Sequence, residues 1–166
     1  LKYINDDFLA TAPTYVRDAL LEAAIQSGNL GEAITAQRHI KQASPQLKIL
    51  LVKRVYQTLS DKDFKSADRL CSQLASLYPD DVSAWDTRAY ALREEGKLFE
   101  ALETYQQMQA KFPENNSAPK AIAGLLMKLG MPQAADELIA KKHMAISAQE
   151  KFELEREIAI RELRWA

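Results

Sequence analysis

Three side chains of this 166-residue sequence are of the types that most often act as nucleophiles or metal ligands: Cys71, His39 and His143. A single cysteine can form no internal disulfide and cannot supply the cysteine pairs of a zinc site. Both histidines have Lys or Arg as neighbours, without a carboxylate at ligand spacing. We therefore predict no catalytic residue, no metal site and no cofactor. We expect Cys71 to be a small core residue and the histidines to be solvated or to pack.

The acidic residues show no pattern typical of acid–base catalysis. Glu157 and Arg161 have the i,i+4 order that favours an ion pair along a helix, which indicates a solvated helix face. The sequence contains no H-E-x-x-H, no glycine-rich phosphate loop and no G-x-S-x-G. The sequence therefore does not predict an enzyme.

Composition excludes further classes of function. Hydrophobic residues make up 47% and charged residues 27%, which is typical of a globular domain. Because 22 basic residues face 23 acidic ones, we expect no nucleic-acid binding through bulk charge. No apolar run reaches the roughly 20 residues that cross a bilayer, so we expect no membrane insertion by this segment. The chain starts at Leu1 without a signal-peptide pattern, and we expect it to be part of a longer protein.

A 34-residue period organises the sequence. A recurring glycine indicates a turn with positive φ, a recurring alanine indicates the close approach of two helices, and a recurring proline indicates a helix end. The period therefore predicts repeated helical hairpins. It is carried by Ala33, Ala67, Ala101 and Ala135, by Pro45, Pro79 and Pro113, and by Gly96 and Gly130, with Gly28 two periods before Gly96.

The period and these residues resemble the tetratricopeptide repeat (TPR), a helix–turn–helix unit of this length. The best copy spans residues 82–115 and departs from the family pattern at Arg88, where Leu is usual. The resemblance implies an all-α TPR superhelical solenoid of about four helix–turn–helix repeats with a C-terminal capping helix. The copy matches the pattern at Trp85, Ala89, Leu92, Gly96, Ala101, Tyr105 and Pro113.

The period divides the chain into six segments. Residues 1–13 are predicted to be a partial helix of a preceding repeat, followed by repeats at 14–47, 48–81, 82–115 and 116–146. In the last segment, 147–166, Ser147 and Glu150 form a capping box that predicts a helix covering the end of the array. A partner-binding helix is the alternative for this segment.

The second repeat is predicted to be irregular. Lys62 stands where the other repeats have glycine. A one-residue shift places Val52, Val55, Tyr56 and Leu59 inside and requires a turn one residue shorter before Phe64. We prefer the shifted register because the unshifted one places Arg54 in the core.

In the TPR family the ligand-binding groove is lined by first helices, so the resemblance implies a set of candidate binding residues. The N-terminal part of this set is acidic and the C-terminal part is mixed to basic. Ordinary solvated helix faces are the alternative for each residue. The set comprises Tyr15, Asp18 and Glu22 in the first repeat, Lys53 in the second, Asp86, Tyr90 and Arg93 in the third, and Lys120, Met127 and Lys128 in the fourth.

Two ligand classes of helical repeats are not expected here. TPR domains that hold chaperone C-terminal carboxylates use a Lys/Asn clamp, whereas Asp18 and Glu22 at the corresponding positions would repel a carboxylate. Repeats that read RNA need a positive groove, which this chain lacks.

The last third also resembles the periplasmic TPR region of bacterial poly-N-acetylglucosamine exporters. Leu129, Gly130, Met131 and Pro132 match a characteristic turn of that family, and Arg164-Trp165 match the end of its long charged helix. The resemblance implies a periplasmic scaffold of an outer-membrane exporter, which guides partly deacetylated polymer and docks the polysaccharide deacetylase. The alternative is a generic TPR adaptor with a cytoplasmic location, which binds a peptide or protein segment in its groove.

Overall fold

The computed structural model describes residues 5–141 and residue 156. Over that part of the chain it consists of α-helices joined by short connections, without a β-strand, which confirms the predicted all-α class. Of the predicted capping helix at 147–166, residue 156 alone is described, and it is helical. The helices are α1 (Asp6–Thr11), α2 (Thr14–Gln26), α3 (Leu30–Arg38), α4 (Pro45–Ser60), α5 (Phe64–Leu77), α6 (Val82–Glu94), α7 (Leu98–Lys111), α8 (Ser117–Lys128) and α9 (Pro132–Lys141).

Four turns of the same length connect the two helices of each repeat. In each turn three residues separate the helices, and the middle one has a positive φ. Gly28, Gly96 and Gly130 occupy this position with φ of 70°, 88° and 79°, and Lys62 occupies it with φ of 57°. The prediction of a shorter turn before Phe64 is therefore wrong, because the hairpin geometry imposes the same backbone on Lys62.

Replacing Lys62 by glycine is expected to raise the free energy of unfolding by about 1 kcal/mol. The left-handed conformation costs a residue with a Cβ about 1–2 kcal/mol, and glycine avoids this cost. Urea denaturation followed by circular dichroism measures the change. Lys53→Gly, in the interior of α4, is the matched control and should instead lower stability by about 1 kcal/mol. Equal losses in both variants would contradict the strained turn.

The register of α4 follows the repeat period without a shift. Val55 is buried, as are Leu21 and Ala89 at the equivalent positions of the neighbouring repeats, whereas Arg54 is exposed. The predicted one-residue shift is therefore wrong. Arg54 does not enter the core in the unshifted register, because its position lies at the surface, as does that of Arg88 in the next repeat.

The connection between α3 and α4 differs from the other connections between repeats. Pro79 and Pro113 each follow the residue after a helix end, and Pro113 stops α7 as predicted. Pro45 instead is the first residue of α4, where its missing N–H costs nothing, and the Ser44 side chain caps the helix by accepting from the Leu47 N–H. Since α3 ends at residue 38, residues 39–44 form an irregular connection.

A buried glutamine organises this connection. Gln37 is 3% exposed, and its Nε2 donates to the carbonyl of Gln42 at 3.0 Å. Its Oε1 accepts from the Ser44 N–H at 2.8 Å, while the Tyr78 hydroxyl donates to the Ser44 carbonyl at 2.7 Å. Burial raises the pKa of Tyr78 to about 12, so its hydroxyl remains a donor at neutral pH. Ser44 is thus held through both of its backbone polar groups.

The chain forms two compact units, and the first comprises residues up to 95. In this unit α2 packs on α3, α4 packs on α5 and α6, and α5 packs on α6. Leu47, Leu51 and Leu74 are fully buried in its core. Ala33 and Ala67, at 0% and 1% exposure, allow the paired helices to approach closely, as the period predicted.

The short helix α1 lies against this first unit. Its Leu9 is fully buried, and Asn5 caps it by accepting from the Phe8 N–H at 2.8 Å. Phe8 itself is 48% exposed. The Arg17 guanidinium of α2 donates to the carbonyl of Ala10 at 2.9 Å and so ties α2 to the end of α1.

The second unit, described here over residues 96–141, contains α7, α8 and α9. Helix α8 packs on both α7 and α9. Ala123 and Ala135 are buried in the core of this unit, and Pro132 is the first residue of α9. Met127 packs in the same core.

Candidate functional site

The predicted binding residues of the first unit lie on α2, α4 and α6, which pack side by side in that order. Their side chains follow helical spacing, so those at i,i+3 and i,i+4 on one helix share a face. We call this surface the first-helix face. It carries Tyr15, Asp18 and Glu22 of α2, Ile49 and Tyr56 of α4, and Asp86, Tyr90 and Arg93 of α6.

An aromatic pair joins α4 to α6 on this face. The rings of Tyr56 and Tyr90 meet edge to face, with centroids 5.2 Å apart and an angle of 63° between the ring planes. Such pairs contribute about 0.5–1.5 kcal/mol beyond the area that they bury. The Arg93 guanidinium lies 4.5 Å from the Tyr90 ring centroid, and its Nη2 contacts Glu94 Oε1 at 3.2 Å. The predicted residues Tyr90 and Arg93 and the neighbouring Tyr56 thus form one cluster.

The surroundings of Tyr56 further stabilise the protonated form of its phenol and so raise its pKa. Burial raises the pKa of its phenol, and the negative charge of Asp86 raises it further. A hydrogen bond with the Thr87 side chain and the positive charge of Arg93 act in the opposite direction but do not cancel the shift. At neutral pH the Tyr56 hydroxyl is therefore a neutral donor and acceptor, 39% of the residue being exposed.

The sequence did not lead us to expect Tyr56 at the surface. The shifted register placed it inside, although it stands one full period from both Glu22 and Tyr90. The unbroken period was the signal that could have identified Tyr56 as a member of the same column, that is, of the equivalent positions in successive first helices. In the same register, Lys53 is exposed but lies immediately after the position shared by Asp18 and Asp86, so it flanks the column.

The exposure of the predicted residues differs widely. Tyr15 is 74% exposed, Asp18 and Glu22 are exposed, and Asp86, Tyr90 and Arg93 are half-buried. In the second unit Lys120 and Lys128 are exposed, whereas Met127 is 5% exposed. Met127 was predicted to line the groove, but its side chain fills the core of this unit and presents little surface to a ligand.

Cys71 is a core residue, as predicted. It is 2% exposed and borders a small cavity between α4, α5 and α6 that Asp68 and Arg88 also line. Burial raises the pKa of the Cys71 thiol to about 11, Asp68 adds to the shift, and Arg88 partly opposes it. The thiol is therefore protonated at neutral pH, and a protonated thiol is a poor nucleophile.

His39 has a carboxylate partner that sequence spacing did not reveal. Its Nε2 lies 2.8 Å from Oδ1 of Asp6, which precedes it by almost a full period, and its carbonyl accepts from the Arg17 guanidinium at 3.0 Å. The first contact joins α1 to the end of α3 and the second joins α2 to it, which is a structural role. His143 lies outside the described residues. Among the residues described, no group of three or more His, Cys, Asp or Glu side chains could hold a metal ion.

Comparison with known proteins assigns the fold. No family model matches the sequence, and no curated protein matches it. The crystal structure of the nearly identical TPR-like repeats of a Podosopora anserina protein, named as a putative kinesin light chain, is similar at a TM-score of 0.55 and 15% identity, covering 91% of this chain and 88% of that one. The fold is TPR-like.

Two further structures complete the comparison. A variant of the same TPR-like repeats matches at a TM-score of 0.55 and 15% identity, over 98% of this chain and 91% of that one. A variant of MamA reaches a TM-score of 0.48 at 15% identity, over 83% of this chain and 95% of that one, and supports no assignment. None of the three is named as a polysaccharide exporter, so that assignment stays a prediction. In the described part of this TPR-like chain, no helix combines the length and the apolar character that a membrane span requires.

Proposed function

We propose that this chain is a non-enzymatic scaffold that binds a segment of a partner protein on the first-helix face. The observation that carries the proposal is the cluster of Tyr56, Tyr90 and Arg93, which spans two adjacent helices and stays partly accessible. Tyrosine and arginine are among the residues most often found as hot spots of protein interfaces. Their rings and donors offer a ligand both apolar contact and hydrogen bonds.

The arrangement of the cluster supports binding without a large ordering cost. The edge-to-face contact and the cation–π contact already restrict the rotamers of Tyr90 and Arg93. A partner that docks on ordered side chains loses less conformational entropy than one that must order them. The buried column beneath the face, which includes Leu51 and Val55, fixes the helices that carry the cluster.

A peptide-display selection on the immobilised chain tests this proposal. Peptides selected on the unmodified protein should bind Tyr56→Ala at least about 10-fold more weakly, because the truncation removes one ring of the pair. Phe99→Ala is the matched control, since Phe99 of α7 is a 71% exposed aromatic residue outside the face. Affinities are measured by fluorescence anisotropy, after circular dichroism has verified folding. Selected peptides that bind both variants as tightly as the unmodified chain would refute the proposal.

The second candidate is the exporter function, in which the chain is a periplasmic part of an outer-membrane protein. It would guide partly deacetylated poly-N-acetylglucosamine and dock a deacetylase. The observation that favours it is that Asp18 and Glu22 are exposed on the same helix as the exposed Tyr15, because the polymer combines scattered amines with apolar sugar faces. An NMR titration with deacetylated oligomers, using fully acetylated ones as the control, should shift Tyr15, Asp18 and Glu22 for the deacetylated sugar alone. Equal shifts with both sugars, or none, would exclude this candidate.

A further inference from the structure

The first-helix face presents large apolar side chains to solvent at its α2 and α4 side. Tyr15 is 74% exposed and Ile49 is 65% exposed, and the two stand one period apart, at the same position of adjacent helices. Tyr56 follows Ile49 along the same face of α4 and is 39% exposed. Exposed apolar residues that are grouped rather than scattered mark interaction surfaces. This part of the face therefore has the apolar contact area that a docked segment needs.

Acidic side chains accompany these apolar residues. Glu22 is the α2 equivalent of Tyr56, Asp18 lies one turn before it, and both are exposed. Asp86 of α6 adds negative charge near Tyr56, where it raises the pKa of the phenol. The positive charge of Arg93 is compensated by Glu94, at 3.2 Å. Because Lys53 of α4 is exposed beside this column, the acidic part of the face is its α2 side, where Asp18 and Glu22 lie.

We infer that the first-helix face binds a basic amphipathic segment of the partner protein. Lys or Arg side chains of the segment pair with Asp18 and Glu22, and its apolar side chains pack on Tyr15, Ile49 and Tyr56. Opposite charge steers association and fixes register, while the apolar contacts contribute most of the binding free energy. The inference rests on the proposed function and adds to it the charge and the pattern of the partner.

Three short fluorescein-labelled peptides that share the same spacing of leucine residues test the inference, and their affinities are measured by fluorescence anisotropy. They carry Lys, Gln or Glu at the polar positions, and we expect affinities in the order Lys, Gln, Glu. The double variant Asp18→Lys/Glu22→Lys should weaken binding of the Lys peptide by about 10-fold or more. The matched control is Glu103→Lys/Glu114→Lys, which makes the same change in net charge at exposed sites outside the face. It should alter the affinity by no more than about 2-fold, because Glu103 and Glu114 are not among the residues that pair with the peptide in the inference.

Each contrary outcome has a distinct meaning. Equal losses in the two double variants would show attraction by bulk charge and would overturn the inference. A Gln peptide that binds as tightly as the Lys peptide, and more weakly to Tyr56→Ala, would overturn the inference while supporting the proposed function. Binding of none of the peptides would also overturn it. Glucosamine oligomers that bind where no peptide does would assign the face to a cationic polysaccharide instead.

Discussion

Shortening Leu51 to alanine is expected to lower the free energy of unfolding by about 2–5 kcal/mol. The Leu51 side chain is fully enclosed by its neighbours, since its exposed fraction is 0%. Helix α4 packs on both α5 and α6, so the removed methyl groups leave a cavity between helices that are held on two sides. Urea denaturation followed by circular dichroism measures the loss.

The control for Leu51 lies on the same helix, half a turn away. Ile49→Ala removes a similar volume from a side chain that is 65% exposed. We expect this variant to change the free energy of unfolding by no more than about 0.5 kcal/mol. Helix propensity favours alanine over isoleucine and adds little to either variant. If Ile49→Ala cost as much as Leu51→Ala, the register of α4 described above would be wrong.

Replacing Gln37 by leucine is expected to lower the free energy of unfolding by about 2–3 kcal/mol. The substitution removes the donor of the Gln42 carbonyl and the acceptor of the Ser44 N–H, and an unsatisfied buried polar group costs about 1–3 kcal/mol. Added apolar contacts offset part of this cost because Gln37 is 3% exposed. Denaturant unfolding gives the total, and amide hydrogen exchange at Ser44 reports the local effect.

Gln57→Leu provides the comparison for Gln37→Leu. The Gln57 amide contacts the exposed Asp61 carboxylate at 3.3 Å, and its loss should change stability by no more than about 0.5 kcal/mol. Faster exchange at Ser44 is expected for Gln37→Leu alone. Unchanged exchange at Ser44 would mean that Tyr78 and the helix cap hold this connection without the glutamine.

The fold could be predicted from the sequence because each repeat places the same requirements on the residues of its turn and of its helix crossing. A turn that needs positive φ uses glycine at three of the four positions, and a close helix crossing needs alanine, so Gly28 and Ala33 indicate the hairpin as clearly as Gly96 and Ala101 do. The best copy also contained the information needed for the second repeat. Arg88 already stood at a position where leucine is usual, and Arg54 is its equivalent one period earlier.

The structural features that the sequence did not predict depend on contacts that no local pattern encodes. Gln37 lies at the position of Cys71 and Tyr105, and only the path of residues 39–44 provides its amide with hydrogen-bonding partners. The pair of His39 and Asp6 likewise depends on where the preceding helix α1 lies.

The description of the candidate site from the sequence was also incomplete, because it depends on contacts between helices. The TPR resemblance named Tyr90 and Arg93 of α6 as candidate binding residues, and the structure leaves both of them half-buried. The contact between Tyr56 and Tyr90 was not predicted, because the shifted register of α4 placed Tyr56 inside.

The unshifted period has a consequence for how such a surface can change its partner. Glu22, Tyr56 and Tyr90 occupy one position in successive first helices, whereas the residue immediately before each of them is buried. Under the proposed function, recognition and folding therefore depend on adjacent but separate columns of the same repeat. Mutation can exchange an acid for an aromatic ring in the outer column without disturbing the inner one. An array of this kind can acquire a new specificity one helix at a time while keeping its buried core.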